Sequence, residues 1–453
     1  MNKDIKFQQA LVKIVGVFNY DANKHIQIFI ENGYDTQPLI QLLDDVSSEK
    51  RSEMLKSTSS FYTNLYYKEF RGFLLTGENI KDHTGNERVS VKCLSRQKNK
   101  SLKLSFATKN NDVKFQITNE EIYFFPNGIG IFSLHLTPND IQSSTISDLL
   151  NMARSFDSNV NVNQVSYLWH QWISKEILCG IPLAGSNAPA DEFSGSKFKT
   201  YCILDLAENQ MSSTYNREHL LYEIATCIPL DSISNKTKNA PSDSFYNEIM
   251  SNKLDVYNNY SGLGILDSFT VIGQDNLNLQ NTISNNTFNK VYFSIYIFNL
   301  FIKYNLFKYN VEFLKDPIGY RDQFTTFLNN YNYHQISFNF LPNRIYQNMR
   351  VGLMIDHEIE HFEKRLSNLA NQIQEGQEKK QALLLGIISL ITTLDALDSI
   401  VETLNKTQSF LGWSSFMFYS ALVLLVGAGG LALLKYLYPT VFLKLKSKFI
   451  HEK

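Results

Sequence analysis

The feature that most constrains this chain of 453 residues is a long uncharged stretch near its C-terminus. Residues 413–434 include no Asp, Glu, Lys or Arg, and the aromatic residues Trp413 and Tyr436 lie at the two ends. A helix needs about 20 apolar residues to cross a hydrocarbon core, and Trp and Tyr favour the interfaces of a bilayer. The stretch therefore predicts a membrane-spanning helix.

A second apolar stretch, residues 382–404, precedes the first. Its first half is uncharged, but its second half holds three carboxylates, which we expect to face a bundle interior or water because they are costly in lipid. Small and polar residues on the same stretch suit close helix packing or a wet pore; the alternative is a bundle helix that conducts nothing. The predicted pore- or bundle-facing residues are Gly386, Ser389, Thr392, Thr393, Asp395, Asp398 and Glu402.

Lysines predict the orientation of this two-helix hairpin. They precede the first helix and follow the second, at Lys379, Lys380, Lys435, Lys444, Lys446 and Lys448. The connecting loop, residues 405–412, holds only Lys406. Because Lys and Arg are enriched in cytoplasmic loops, we expect this loop outside and both chain ends in the cytoplasm. The predicted location is the inner membrane of a bacterial cell.

A heptad pattern precedes and enters the hairpin. Apolar residues alternate at spacings of four and three, at Ile355, Ile359, Phe362, Leu366, Leu369 and Ile373. The same register resumes at Leu383 after Gly376 and Lys380. A period of 3.5 is typical of helices that pack along a seam, and it predicts one helix over residues 355–404, about 75 Å long. The alternative is two helices joined near Gly376.

The residues before this helix predict a folded α+β region. Alternation over residues 102–106 and 113–117 predicts a β-hairpin, whereas the spacing in residues 140–156 and 164–178 predicts two helices. The apolar face of the first of these helices is formed by Ile146, Leu149, Leu150 and Ala153.

The predicted fold class is an α+β cytoplasmic domain followed by a long stalk helix and a two-helix transmembrane hairpin. The predicted boundaries are residues 1–138 for a strand-rich part, 139–342 for a mixed α/β part, 343–381 for the stalk, 382–438 for the hairpin and 439–453 for a basic cytoplasmic tail.

Composition excludes some functions. The net charge is −1 and the pI about 6.8, so no basic excess favours direct nucleic-acid binding. The four cysteines form no CxxC pair, and the N-terminal sequence lacks a signal-peptide layout. We therefore expect reduced cysteines and a large part of the chain that is not exported.

This layout resembles the CorA-type family of magnesium channels over residues 355–453. The resemblance implies a homopentamer in a lipid bilayer, with the first spanning helices around the pore and a divalent cation as cargo. The family carries a Gly-Met-Asn signature after the first span. Residues 405–413, Asn-Lys-Thr-Gln-Ser-Phe-Leu-Gly-Trp, lack it, so no selectivity residue can be carried over.

The large soluble region and the missing triplet more closely resemble CorA-like effectors that occur beside type III CRISPR systems. That resemblance implies a ligand-gated channel or effector, not an enzyme, that is opened by a nucleotide second messenger in antiviral defence. An S-adenosylmethionine–adenylate conjugate (SAM-AMP) is one such messenger, and no other cofactor is required. The alternative within transport is a CorA-type magnesium transporter that needs no ligand.

A zinc peptidase is the alternative of another class. His357-Glu-Ile-Glu-His361 matches H-E-x-x-H, in which two His one turn apart bind zinc and the Glu activates water. The charged Glu360 departs from the peptidase pattern, and no third ligand is marked. His357 and His361 are therefore candidate metal ligands, in a peptidase or in a regulatory site, and the other interpretation is a solvated charged face.

A nucleotide ligand requires cations for its phosphates and flat or apolar walls for its base. The residues in the predicted helices that meet this requirement are Arg154, Trp169, His170, Arg217 and His219. Each is alternatively an ordinary packing or surface residue.

Overall fold

The computed structural model describes residues 5–37, 65–67, 70, 91–97, 102–108, 112–183, 197–206, 216–265, 268–274, 287–313, 316–411 and 420. The chain divides into two compact units, Met1–Phe362 and Glu363–Lys453. The first unit contains a large mixed β-sheet with helices packed against it. One sheet thus combines strands from both predicted parts of the α+β region.

The described elements follow one another in this order. The strands are β1 (Phe7–Asn19), β2 (Asp35–Gln37), β3 (Lys92–Arg96), β4 (Leu104–Phe106), β5 (Val113–Phe124), β6 (Ile129–Pro138), β7 (Asn159–Val162), β8 (Val165–Leu168), β9 (Lys199–Leu206), β10 (Leu254–Tyr257), β11 (Tyr260–Ile265) and β12 (Ser268–Gln274). The helices are α1 (Ala22–Glu31), α2 (Ser143–Arg154), α3 (Trp169–Trp172), α4 (Arg217–Thr226), α5 (Asp243–Met250), α6 (Phe293–Phe313), α7 (Pro317–Tyr331), α8 (Phe340–Gly352) and α9 (Ile355–Leu411). Two π-helical turns occur at Ile173–Ile177 and Thr287–Tyr292.

The strand order across the sheet is β10-β11-β12-β9-β1-β6-β5-β4-β7-β8. These neighbours run antiparallel except β9 and β12, which are parallel. Strand β5 also pairs with β3 near its end, and β3 pairs with β2. The predicted hairpin is confirmed as β4 and β5, in which Leu104 lies opposite Phe115.

One face of the sheet forms the main apolar core beneath α2 and α4. The predicted face of α2 is confirmed, because Ile146, Leu149, Leu150 and Ala153 are all buried. The helix packs against the central strands β1, β5, β6 and β9, while α4 packs against β11 and β12. The central strands are buried by helices on both sides, which explains why β1 has a continuous buried run rather than strict alternation.

The opposite face is covered in part by α6 and α8. Helix α6 is rich in buried aromatic and aliphatic residues and contacts β6 and α8. Helix α8 approaches β11 closely at a pair of glycines, where a Cβ on Gly352 would lie 2.2 Å from the backbone of Gly264. A Cβ on Gly264 would meet the carbonyl oxygen of Asn348 at 3.0 Å, so Gly352 is the position of this pair that cannot carry a side chain.

Helix α9 is continuous from Ile355 to Leu411, as the heptad spacing predicts, and Gly376 lies within it rather than at a break. Its first turns belong to the first unit. The Phe362 ring lies 4.0 Å from the Phe324 ring of α7 and 5.0 Å from the Phe313 ring of α6, measured between centroids. Aromatic packing therefore fixes the start of the long helix.

The predicted transmembrane hairpin is wrong. Within the residues that the structure describes, no helix is long and apolar enough to cross a membrane. In α9, Lys380 and Asp395 bound an uncharged stretch of only 14 residues, whereas a span needs about 20. The second predicted span, residues 413–434, lies outside the described residues apart from Ser420. The membrane location that was predicted from the hairpin is wrong for the same reason.

Candidate ligand-binding groove

The end of the sheet formed by β5, β4, β7 and β8 has a polar face. Ser105 lies opposite Lys114 on one side and Asn161 on the other, and Asn161 lies opposite Ser166. Directly opposed residues of antiparallel strands project from the same face of a sheet. A row of polar side chains therefore crosses four strands.

A groove of about 850 Å³ lies along this row. The polar side chains that line it include those of Lys103, Ser105, Lys114, Gln116, Asn139 and Asn161. Asp112 is the acidic residue of the lining. Among the described lining residues, two lysines and one carboxylate give the groove a net positive formal charge, and the amides and hydroxyl supply both donors and acceptors.

Backbone contacts hold the rims of the groove. Asn163 and Gln164 form the tight β7–β8 turn with positive φ of 49° and 73°, and the Asn163 N–H donates to the carbonyl of Lys103 at 3.3 Å. On the other rim, the Asn139 N–H donates to the carbonyl of Lys114 at 3.0 Å. The groove is thus built on paired strands rather than on loops.

The opposite face of these strands supports the floor. Phe106 stacks on Phe115 with ring centroids 4.9 Å apart, and the edge of Trp169 meets Phe106 at 5.3 Å. Trp169 is fully buried, and its indole N–H donates to the carbonyl of Ala153 at 2.9 Å. This predicted ligand-binding residue therefore packs on the far side of the floor instead of lining the groove.

The other two predicted residues in this region also have structural contacts. Arg154 ends α2 and its Nη1 donates to the carbonyl of Thr226 at 3.4 Å. His170 stacks on Phe156, and its Nδ1 lies 2.9 Å from the Phe156 carbonyl oxygen. The structure brings Arg154, Trp169 and His170 to one region, but none of them lines the groove.

Arg217 and His219 form a separate group at the start of α4. Arg217 Nη1 donates to the carbonyl of Asn258 at 2.9 Å, and His219 Nδ1 lies 3.3 Å from the hydroxyl of Ser234. Since Arg154 contacts the opposite end of α4, the five residues do not form a single site. Their role in ligand binding stays a prediction.

A buried ionic cluster lies under the π-helical turn Thr287–Tyr292. Lys13 Nζ lies 3.2 Å from Glu121 Oε2, 3.4 Å from the carbonyl oxygen of Asn289 and 3.6 Å from the ring centroid of Phe293. Lys290 Nζ lies 3.5 Å from the other oxygen of Glu121. The cluster joins the π-helical turn and the start of α6 to the centre of the sheet.

Burial and charge set the protonation of this cluster. Burial, partly offset by Glu121, lowers the pKa of Lys13 to about 8. Burial alone would raise the pKa of Glu121, but the two lysines outweigh it and lower that pKa to about 2. Burial and the charge of Lys13 lower the pKa of the neighbouring His135 to about 3. At neutral pH the Lys13–Glu121 pair is thus ionised, while the His135 imidazole is neutral.

The structure gives the H-E-x-x-H sequence no metal site in the described part of the chain. His357 and His361 are exposed on α9, and Glu358 Oε2 accepts a hydrogen bond from Asn310 Nδ2 at 3.2 Å. Across the described residues, no group of three or more His, Cys, Asp and Glu side chains is arranged to hold a metal ion. A divalent cation as cofactor stays a prediction.

The predicted pore- or bundle-facing residues belong to α9. Gly386 is half-buried, whereas Ser389, Thr392, Asp395 and Glu402 are exposed. The side chains of Thr393 and Asp398 lie outside the described part of the structure. The bundle-facing role of this set stays a prediction.

No family model, no curated protein and no solved structure matches this chain significantly. The resemblance to the CorA-type family stays a prediction.

Proposed function

We propose that this protein is a ligand-controlled effector whose polar groove binds a small phosphate-bearing ligand of the nucleotide class. The observation that carries the proposal is the placement of Lys103 and Lys114 in a groove of about 850 Å³ that is otherwise lined largely by amide and hydroxyl side chains. That volume lies in the range of about 300–1,000 Å³ that is usual for small-molecule sites. SAM-AMP and related adenylate messengers are the first compounds to test.

The chemistry of the groove selects for such a ligand. An apolar ligand would leave the ammonium groups and amides without their hydrogen bonds to water, at a cost in free energy. Phosphate oxygens accept charge-assisted hydrogen bonds from lysine, and the amides can donate to and accept from a sugar or a base. The groove therefore favours a ligand that is both anionic and rich in hydrogen-bonding groups.

Replacing both groove lysines is expected to weaken nucleotide binding about 100-fold. Each charge-assisted hydrogen bond contributes about 1.5–3 kcal/mol, and 1.4 kcal/mol corresponds to a factor of ten. Equilibrium dialysis with labelled nucleotides would compare wild-type protein with the Lys103→Ala/Lys114→Ala variant. The control is Lys92→Ala/Lys175→Ala, which removes two exposed lysines that do not line the groove. Equal binding by the two double variants would contradict the proposal.

The proposed effector function depends on self-association of the protein through α9. Six aliphatic side chains of α9 are each 45–67% exposed: Leu383, Leu384, Leu385, Ile387, Ile388 and Ile391. Leu383 and Ile387 lie on the heptad seam, but Leu385 and Ile388 lie off it. A two-stranded coil would cover the seam alone, so covering both sets would require an assembly of more than two chains. We propose that a bound ligand shifts the population of assembled states.

A charge on the seam of α9 is expected to dissociate this assembly. Ile387→Glu would place a carboxylate against apolar neighbours, whereas the control Gln381→Glu adds the same charge at a polar, exposed position of the same helix. Analytical ultracentrifugation would give a smaller mass for Ile387→Glu and an unchanged mass for Gln381→Glu. A wild-type chain that is monomeric at every concentration tested would exclude self-association.

A further inference from the structure

We propose a second binding pocket, for an uncharged planar heterocycle of the nucleobase or nucleoside class, between α7 and the turn that follows β5. This site goes beyond the proposed function, because it is separate from the groove and selects a different chemistry. Its volume is about 400 Å³. The side chains that form it include Asn127, Tyr309, Gln323, Thr326, Phe327 and Asn330.

The walls of this pocket combine aromatic rings with amides. Tyr309, Phe327 and Tyr331 are 3–8% exposed, so each ring presents an edge or a small part of its surface at the floor. Amide groups of Asn127, Gln323 and Asn330 surround that floor. Aromatic surface favours a flat ligand, and amides offer donors as well as acceptors, which match the edge of a nucleobase.

The Asn127 side of the pocket is held in place before any ligand binds. Asn127 has a positive φ of 66°, and its Nδ2 donates to Asn305 Oδ1 at 2.9 Å. Its carbonyl accepts a hydrogen bond from Lys308 Nζ at 2.9 Å. Two contacts to α6 therefore fix the turn, and a preorganised wall lowers the entropy cost of binding.

The charge of the pocket differs from that of the groove. Asp322 is its acidic residue, and Asp322 Oδ1 lies 3.0 Å from Nε of Arg321. Among the described residues of its lining there is no lysine or arginine, and the nearby Lys308 Nζ donates to the carbonyl of Asn127. Because the described lining offers a carboxylate and no free cation for a phosphate, the pocket favours an uncharged ligand.

Aromatic contacts link this pocket to the start of α9. The Tyr309 ring lies 5.5 Å from Phe327 in the pocket and 5.9 Å from Phe324, which is one turn earlier in α7. The Phe324 ring in turn lies 4.0 Å from that of Phe362 in α9. A ligand against Phe327 therefore stabilises the helix that holds the first turns of α9.

Adenosine, an uncharged planar nucleoside, is the probe that tests the pocket. Isothermal titration calorimetry on the full chain should show saturable binding that Thr326→Tyr weakens at least about ten-fold, because the new ring fills the pocket. Thr325→Tyr is the matched control, since Thr325 is exposed on the same helix but does not line the pocket. The Lys103→Ala/Lys114→Ala variant should bind adenosine normally, which separates this site from the groove.

Hydrogen exchange on wild-type protein provides a test that needs no variant. Adenosine should slow amide exchange in α7, Pro317–Tyr331, and in the first turns of α9. The proposal is overturned if adenosine does not bind, if Thr326→Tyr binds it as tightly as Thr325→Tyr does, or if the protection lies outside α7.

Discussion

Glu121→Gln is expected to lower the free energy of unfolding by about 3–5 kcal/mol, the usual cost of removing one partner from a buried ion pair. Glu121 is 6% exposed and Lys13 is 1% exposed, so water cannot replace the lost carboxylate. The variant would leave the buried Lys13 beside a neutral amide, without the carboxylate that favours its charged form. Urea denaturation at neutral pH would measure the change.

Two further variants show whether the effect comes from the buried charge. Lys13→Met/Glu121→Gln removes both members of the pair and should cost less than the sum of the two single changes, because no unpaired partner of this pair stays behind. Asp21→Asn removes an exposed carboxylate that lies 3.9 Å from Lys24 Nζ and should change stability by less than about 1 kcal/mol. Additive effects of Lys13→Met and Glu121→Gln would contradict this account of the cluster.

The difference in the free energy of unfolding between wild type and Glu121→Gln depends on pH, in a direction that the pKa of Glu121 sets. The pKa of Glu121 falls from its ordinary 4.5 to about 2 on folding. A carboxylate whose pKa is depressed stabilises the fold above its unfolded pKa and loses that contribution as pH falls through its folded pKa. The stability difference between wild type and Glu121→Gln should therefore shrink as pH falls from about 5 towards 2.

Gly352→Ala is expected to destabilise the protein by about 3 kcal/mol, the upper end for overpacking. The added Cβ would lie 2.2 Å from the backbone carbon and oxygen of Gly264, and neither atom can move away as a flexible side chain could. The contact between α8 and β11 would have to separate. Thermal denaturation of the purified variant would measure the loss.

Gly376→Ala is the matched control for this prediction. Gly376 lies inside α9, and a Cβ there would meet no atom within 4 Å. Since alanine has a higher helix propensity than glycine, this change should stabilise the helix by about 0.5–1 kcal/mol. If Gly352→Ala were as stable as wild type, the close approach of α8 to β11 would be wrong.

Local patterns predicted the elements that depend on local spacing. The β4–β5 hairpin, the buried face of α2 and the continuity of α9 all follow from alternation or from helical periodicity. The helix predicted over residues 164–178 is wrong in its first part, because the structure has strand β8 at Val165–Leu168 before α3. Val165 and Tyr167 favour a strand, and the tight turn at Asn163 and Gln164 pairs that strand with β7.

The groove could not be predicted from sequence, because long-range pairing forms it. Alternation places Ser105 and Lys114 on the face opposite Leu104 and Phe115. It does not reveal that β7, which lies far along the chain, pairs with β4 and contributes Asn161. Nor does it reveal which part of the sheet the helices cover. The membrane prediction failed for another reason. It gave more weight to the hydrophobicity near the C-terminus than to Lys380 and Asp395, the charged residues at the two ends of the apolar stretch of α9.

The most direct test of the central claim is photo-crosslinking of an azido-adenine nucleotide to the full chain, followed by peptide mapping. The proposed groove predicts modified peptides from the β4–β5 and β7–β8 hairpins, and an excess of unlabelled nucleotide should abolish their modification. Modification that is confined to other parts of the chain, or that unlabelled nucleotide does not reduce, would contradict the assignment of the groove as the ligand site.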